Sequence, residues 1–452
     1  MAHRQNYPPY LFVFATLLTI STAQSAAAGF ALVEQSVSGL GNAYAGAAAS
    51  AEDASTVFFN PAGLMSLEGN QLVVGGHIIK PSAEFSGSAT NALGAPVTGG
   101  DGGDAGNTSL VPNLYYSRKL PNNFVFGLGI NAPFGLKTEY DANWVGRYHA
   151  IESELKTINI NPAIAYKAAP NLSVGVGVNI QYIEATLSQA INQTTSCIGV
   201  LLAQNPGMDP ATALATCGGL GVSTADATGE IEGDDWSYGY NFGLMYDVNP
   251  GTRVGFAYRS KIKQELEGDA SFTNADSFFT GIGIFVPTSV TANVTLPESA
   301  SLSLYHDINT QWAILADATW THWNRFQELR VDYASIQPDS VTVEDWNDSM
   351  RYSLGLNYRY DSAWLLRTGV AFDEEPIPDA AHRTPRIPGN DRTWLAVGAN
   401  YQYSPAVSFD MGYAHLFVDD TRINHTSTTA GNITGEYDNA VDILSVQVNW
   451  TF

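Results

Sequence analysis

The stretch GFALVEQSVSGLGNAYAGAAASAEDASTVFFNPAGL, residues 29–64, differs in kind from everything after it. It is rich in Gly, Ala and Ser and poor in long side chains, so its backbone can pack closely in a narrow space. It carries neither a helical stripe nor a strand alternation. It closes on Asn60-Pro61-Ala62-Gly63, a strong turn signal. Beyond it the chain reads as β-strand. The expected organisation is a compact segment followed by a large sheet.

The strands show period two. In residues 174–182, Val174, Val176, Val178, Ile180 and Tyr182 alternate with Gly175, Gly177, Asn179 and Gln181. The last strand sets Leu444, Val446, Val448, Trp450 and Phe452 against Ser445, Gln447, Asn449 and Thr451. A soluble antiparallel sheet shows the same alternation. Three features favour lipid on the apolar side: aromatics gather near strand ends, the other face is small or polar, and the chain ends on an alternating strand with a terminal Phe. Closing the sheet on itself also removes its edges.

The connections decide the strand number. Short turns such as Leu120-Pro121-Asn122-Asn123 and Val248-Asn249-Pro250-Gly251 alternate with long segments, 87–107, 139–154, 191–235, 268–293, 337–347, 374–391 and 424–437. Together they predict about 14 strands, an even number within the range of outer-membrane barrels. All short turns then lie on one rim and all long loops on the other. The expected fold is all-β: a 14-stranded antiparallel transmembrane β-barrel over residues 69–452, with residues 28–68 as a hatch plugging its lumen.

Composition agrees. Of 452 residues only 14% are charged, against roughly 25% in a typical soluble domain. Mean hydropathy is −0.07, as expected when one strand face meets lipid and the other a polar lumen. The one long apolar run is N-terminal: His3 and Arg4 precede an apolar core, and Ala and Ser crowd residues 23–28. Residues 1–27 are therefore expected to be a signal peptide. The net charge of −23 argues against nucleic acid as a partner. Cys197 and Cys217 are expected to form a loop disulfide in an oxidising compartment, and no His flanks them at metal-ligand spacing. No catalytic, metal or cofactor motif stands out. An outer-membrane lipid hydrolase is a rival class, but it offers no identifiable Ser and His pair.

The segment Gly29-Phe30, Glu34-Gln35-Ser36, Ser38-Gly39-Leu40-Gly41-Asn42-Ala43-Tyr44-Ala45-Gly46, Asp53-Ala54 and Asn60-Pro61-Ala62 resembles the N-terminal hatch of the FadL family of outer-membrane transporters. Trp320-Thr321-His322-Trp323-Asn324-Arg325-Phe326 and Arg367-Thr368-Gly369-Val370-Ala371-Phe372-Asp373 resemble later blocks of that family. The resemblance implies passive uptake of long-chain fatty acids or related hydrophobic compounds, or alternatively of neutral aromatic or alkane hydrocarbons. It implies capture by two extracellular loops, here carrying Leu201, Leu202, Phe278, Phe279, Ile282 and Phe285. These loop residues have a second reading, packing on one another. The resemblance implies an internal pocket touched by Phe30 and a lateral exit at a kinked strand. Pro133, Phe134 and Gly135, interrupting a regular strand, mark that kink. Two family cations fall on Arg330 and Gln189, so one charge is missing. For Arg330 an ion pair with Glu328 or Asp332 is an equal reading. The partners expected are a hydrophobic small molecule, outer-membrane lipid and lipopolysaccharide, around a monomer.

Overall fold

A computed structural model describes residues 29–452; the expected signal peptide and its cleavage site lie outside the described residues. Fourteen antiparallel strands form a closed barrel. In chain order they are β1 (Gln71–Thr90), β2 (Ser109–Leu120), β3 (Phe124–Asn131, resuming at Gly135–Glu139), β4 (Glu152–Ala169), β5 (Leu172–Ile191), β6 (Ala227–Asn249) and β7 (Thr252–Arg259 and Ile262–Thr273). Then come β8 (Thr288–Leu296 and Ser299–Asp307), β9 (Trp312–Thr321 and Glu328–Tyr333) and β10 (Ser340–Val343 and Ser349–Arg359). The wall finishes with β11 (Trp364–Asp373), β12 (Arg392–Ser404), β13 (Val407–Val418 and Thr421–Ser427) and β14 (Gly431–Thr451). Each strand pairs with its chain neighbours, and β14 closes on β1 from Gln71↔Thr451 to Thr90↔Asn432.

The alternation dictates which way each side chain points. Val176, Leu354, Leu444 and Val446 are about half exposed or more on the outer face, while Asn179, Gln181, Ser445 and Gln447 are buried inside. Trp236, Tyr238 and Tyr240 stand exposed in a row on β6, where aromatic rings suit the lipid–water boundary. Several strands run further out than the polar sequence suggests. Residues 227–235 and, apart from the turn at 428–430, residues 424–437, expected as loop, are strand. Their alternation continues with Glu230, Glu232 and Asp234 outside, because a strand leaving the membrane keeps its period but not its hydrophobicity.

The hatch fills the lumen near the short-turn rim. Its helices, Val37–Leu40, Ala47–Ser50, Thr56–Phe59 and the 3-10 turn Pro61–Ser66, are too short to be stable alone and rest on the wall. Asn60 caps the last turn by accepting from Ala62 N at 3.0 Å, and its Nδ2 donates to Leu244 O on β6 at 3.0 Å. Wall glycines let hatch backbone lie directly on the strands. A Cβ on Gly255 would come within 1.9 Å of Ala48 O, and one on Gly369 within 2.2 Å of the Asn42 carbonyl. Polar anchors complete the seat. Asp53 accepts from Ser38 Oγ at 2.7 Å and from Gln447 Nε2 of β14 at 2.9 Å. Arg367 of β11 pairs with Glu52 of the hatch and, at 2.6 Å, with Asp410 of β13.

Candidate functional site

The N-terminal end of the hatch reaches the break in β3. Pro133 has no N–H to give a ladder, and the chain turns inward there. Leu32 N donates to Pro133 O at 2.8 Å and Gly135 N to Phe30 O at 2.9 Å, so residues 30–32 pair with the kink like a short strand. The inward turn brings Phe134, 7% exposed, against Phe30 at 6.1 Å between ring centroids. Trp323, Phe326 and Trp346 close round Phe30 at 4.7, 5.7 and 5.9 Å. Gly29 lies under this cluster at φ +63, where an added Cβ would meet Trp346 within 2.6 Å. Only a residue without a side chain fits that conformation and that space.

The same kink opens the wall. Residues 109–113 of β2 pair with β1, but the β2–β3 ladder begins only at Leu114↔Ile130. The outer part of β3, Gly135–Glu139, has β4 as its only strand ladder. A window is left between the two strands, bounded above by the Gly106↔Thr138 bridge. Leu32 of the hatch, with Val111 and Ala132, packs behind it.

The aromatic cluster divides the interior into two cavities. The outer one lies under the extracellular loops, bounded by Phe30 below and by Arg386 and Ile387. Leu136, Ile183, Leu266, Val290, Val331 and Phe326 give it an apolar wall, and Phe30 forms its floor. One cation enters it: Arg386, on the extracellular loop 374–391. Its Nη2 donates to Gln189 Oε1 at 3.0 Å and its Nη1 to Ser153 Oγ at 2.9 Å. Burial pushes its guanidinium down to about 10, against the pull of the Glu344 carboxyl. Glu344, on the loop before the second part of β10, is 3% exposed and accepts from Trp346 Nε1 at 3.1 Å. Burial pushes its carboxyl up to about 8, against the pull of Arg386, so near neutral pH the protonated form is favoured.

Arg330 is placed elsewhere, which corrects the expectation that it touches ligand. It is 41% exposed and bonds Glu328 at 2.8 Å and Asp339 at 3.3 Å. The cause is strand parity: Leu329 and Val331 face the cavity, so Arg330 between them faces out. Gln189 does not line the cavity; it holds the arginine that does. Arg386 was not found from sequence. Its only signal is a cation held in the rigid run Pro385-Arg386-Ile387-Pro388.

The remaining candidates sit in three places. In the hatch, Glu34 is fully buried with neither carboxylate oxygen hydrogen-bonded, and burial pushes its carboxyl up to about 8. Asn60, Pro61 and Ala62 make the turn that rests on β5 and β6. Above the barrel, the helices Gln193–Gln204 and Pro210–Gly219 are joined by the Cys197–Cys217 disulfide, with Cα atoms 6.2 Å apart. Leu201, Leu202, Phe278, Phe279 and Phe285 form one cluster around it, so the two loops pack on each other; Phe279 and Phe285 are 4.9 Å apart. Ile282 ends the short helix Ser277–Gly281, half-buried beside that cluster. Among the described residues no cluster of metal-ligand type occurs.

A family described as "Outer membrane protein transport protein (OMPP1/FadL/TodX)" matches residues 18–452. The long-chain fatty acid transport protein of Escherichia coli O6:H1 is 32% identical over 89% of this chain and 90% of its own length. Outer membrane protein P1 of Haemophilus influenzae is 30% identical over 97% of this chain and 98% of its own. The crystal structure of a Pseudomonas aeruginosa FadL homologue superposes with a TM-score of 0.85 at 26% identity, covering 94% of this chain and all of that one. The Pseudomonas putida toluene transporter TodX shares the fold, with a TM-score of 0.64 at 20% identity over 88% of this chain and 94% of its own.

Proposed function

The chain belongs to the outer-membrane transport family of FadL, TodX and OMPP1, and on that premise we propose that it takes up long-chain fatty acids, bound as carboxylates at Arg386. Family membership makes it a non-enzymatic outer-membrane β-barrel of Gram-negative type that transports hydrophobic compounds. The choice of an acid over a neutral hydrocarbon rests on one observation. Among the described residues a single guanidinium enters a cavity whose wall is largely apolar, with Glu154, Glu232 and Glu344 also at its lining, and burial favours the protonated form of the neighbouring Glu344. A hydrocarbon gains nothing from that charge, whereas a carboxylate gains a charge-assisted pair.

The route follows from the chamber order. Ligand caught among Leu201, Leu202, Phe278 and Phe285 descends to the Arg386 cavity. Displacement of Phe30 opens the floor, and withdrawal of Leu32 from the window lets the acyl chain leave sideways into the membrane. The apolar chain leaves water at the first step and ends in lipid, and that overall transfer favours passage.

The test is binding of dodecanoate and dodecane to the purified full chain in nanodiscs, with Arg386→Gln beside the native protein. A hydrogen bond to a charged group contributes about 1.5–3 kcal/mol, so dodecanoate should bind roughly 10- to 150-fold more weakly to the variant. Dodecane should be unaffected. Equal loss for both ligands, or none for either, removes the fatty-acid reading.

A further inference from the structure

Three extracellular segments meet around a pair of histidines. Loop 374–391 lies against the outer part of β13. Asn424 N donates to Ala380 O at 2.7 Å, Arg383 Nη1 to Arg422 O at 2.6 Å and His425 Nδ1 to Ala381 O at 2.9 Å. Loop 139–154 joins them through His149, whose ring stands edge-on to that of His425 with 5.6 Å between centroids. Loop 374–391 also carries Arg386, so the contacts that hold it to β13 help to seat that guanidinium in the outer cavity.

The pair is built for neutral imidazoles. His149 is 8% exposed and His425 9%. A carbonyl oxygen only accepts, so His425 Nδ1 carries a hydrogen and the neutral ring leaves its Nε2 bare. His149 Nε2 is buried with no hydrogen-bond partner. The charged and titratable groups that act on His149 are His425 and Arg386, and the one that acts on His425 is His382. His382 has its own carboxylates, Asp379 at 2.9 Å and Asp345 at 3.6 Å. Among the described residues no carboxylate is set against either buried ring, so neither has an anion to hold a second proton. Burial, with His425 and Arg386 beside it, pushes the His149 imidazole down to about 3. Burial lowers His425 as well, against the Ala381 bond.

We infer that His149 and His425 form an acid-sensitive clasp: below the ordinary range of histidine, protonation of the pair loosens loop 374–391 from β13 and with it the seating of Arg386 in the outer cavity. An exposed imidazole takes up its proton near pH 6.5. The clasped arrangement refuses that proton, so the released arrangement binds more protons below this pH. The clasp therefore contributes fully above about pH 6.5 and loses its contribution as pH falls toward 3. At about pH 5, His149 alone raises the ratio of released to clasped by about thirtyfold. His425 acts in the same direction. The clasp itself is independent of what the cavity binds; its effect on ligand rests on the carboxylate reading of Arg386.

Hydrogen exchange of the full chain in nanodiscs, read by mass spectrometry at about pH 7.5 and about pH 5 and scaled to intrinsic rates, tests it. In the native protein residues 139–154 and 374–391 should lose protection at the lower pH while the β1–β14 seam keeps it. The double variant His149→Phe, His425→Gln keeps a ring at one position and a donor for Ala381 O at the other, and neither side chain can gain a proton. It should be equally protected at both pH values. Should its loops already be released at the higher pH, His149→Gln alone decides, and its acid response should be about thirtyfold smaller than the native one. Equal protection of the native loops at both pH values, or an acid response as large in His149→Gln as in the native chain, overturns the clasp. Dodecanesulfonate, which stays an anion throughout, reports the consequence: native affinity should fall at the lower pH in step with exchange. If the loops release while sulfonate affinity holds, the clasp stands and the Arg386 reading of the cavity fails.

Discussion

The hatch is held by an ion triad whose removal can be costed. Arg367 is 3% exposed at its side chain, Asp410 is 1% and Glu52 is 21%. Replacing Arg367 by Met keeps the volume and leaves two carboxylates facing each other out of water. Breaking one partner out of a buried pair costs about 3–5 kcal/mol, because the remaining charges are uncompensated. At about 1.4 kcal/mol per decade, the seated hatch should lose roughly a hundred- to several-thousand-fold against the unseated one. Asp410 keeps an Asn449 donor at 2.6 Å, which places the loss toward the lower end. Single channels in planar bilayers report the change: the native protein should be nearly silent and Arg367→Met should show long openings. The triple variant Arg367→Met, Glu52→Gln, Asp410→Asn removes every charge at once and should be quiet again, since a neutral replacement of a buried ion group costs little. Native-like silence in the single variant, with the hatch equally protected from protease, would refute the triad as the latch. So would a triple variant as leaky as the single one.

Two further outcomes are expected. Glu344 has a folded pKa of about 8, above its ordinary 4.5, so its contribution to stability is full below pH 4.5 and declines as pH rises, the loss complete above about pH 8. Over the same rise its carboxylate comes to neutralise Arg386; dodecanoate affinity should therefore fall between about pH 7 and 9, and Glu344→Gln should flatten that profile. Reducing the Cys197–Cys217 bond frees a loop whose closure contributes about 3 kcal/mol. Protease should then cut within residues 193–219 while heat-modifiable migration stays native, and any loss of the folded barrel band would contradict a purely local role.

The parts legible in the sequence are those written in local pattern. Alternation at residues 174–182, the turn at Asn122 and Asn123 and the small-residue run before Asn60 each need only neighbours to be read, and together they yield a barrel of fourteen strands with a plug. The ligand cation was not legible for the opposite reason. Arg386 reaches the cavity from a loop whose path depends on contacts with Glu152, Ser153 and Gln189, some two hundred residues away. Arg330 misled because a shift of one residue along a strand reverses the face, and outside the membrane the apolar side of β9 turns inward.

The seam between β1 and β14 joins the two ends of the chain over twenty residues, Gln71↔Thr451 to Thr90↔Asn432. Gln447, in that last strand, also bonds the hatch, accepting from Val37 N at 3.1 Å and donating to Asp53. The plug therefore has no complete seat until the final strand arrives. The last-made strand thus fastens wall and contents in one act, closing on β1 and bonding the first-made segment through Gln447. Such long-range closure is slow by topology alone, which makes the end of the chain the step on which biogenesis of the whole gate depends.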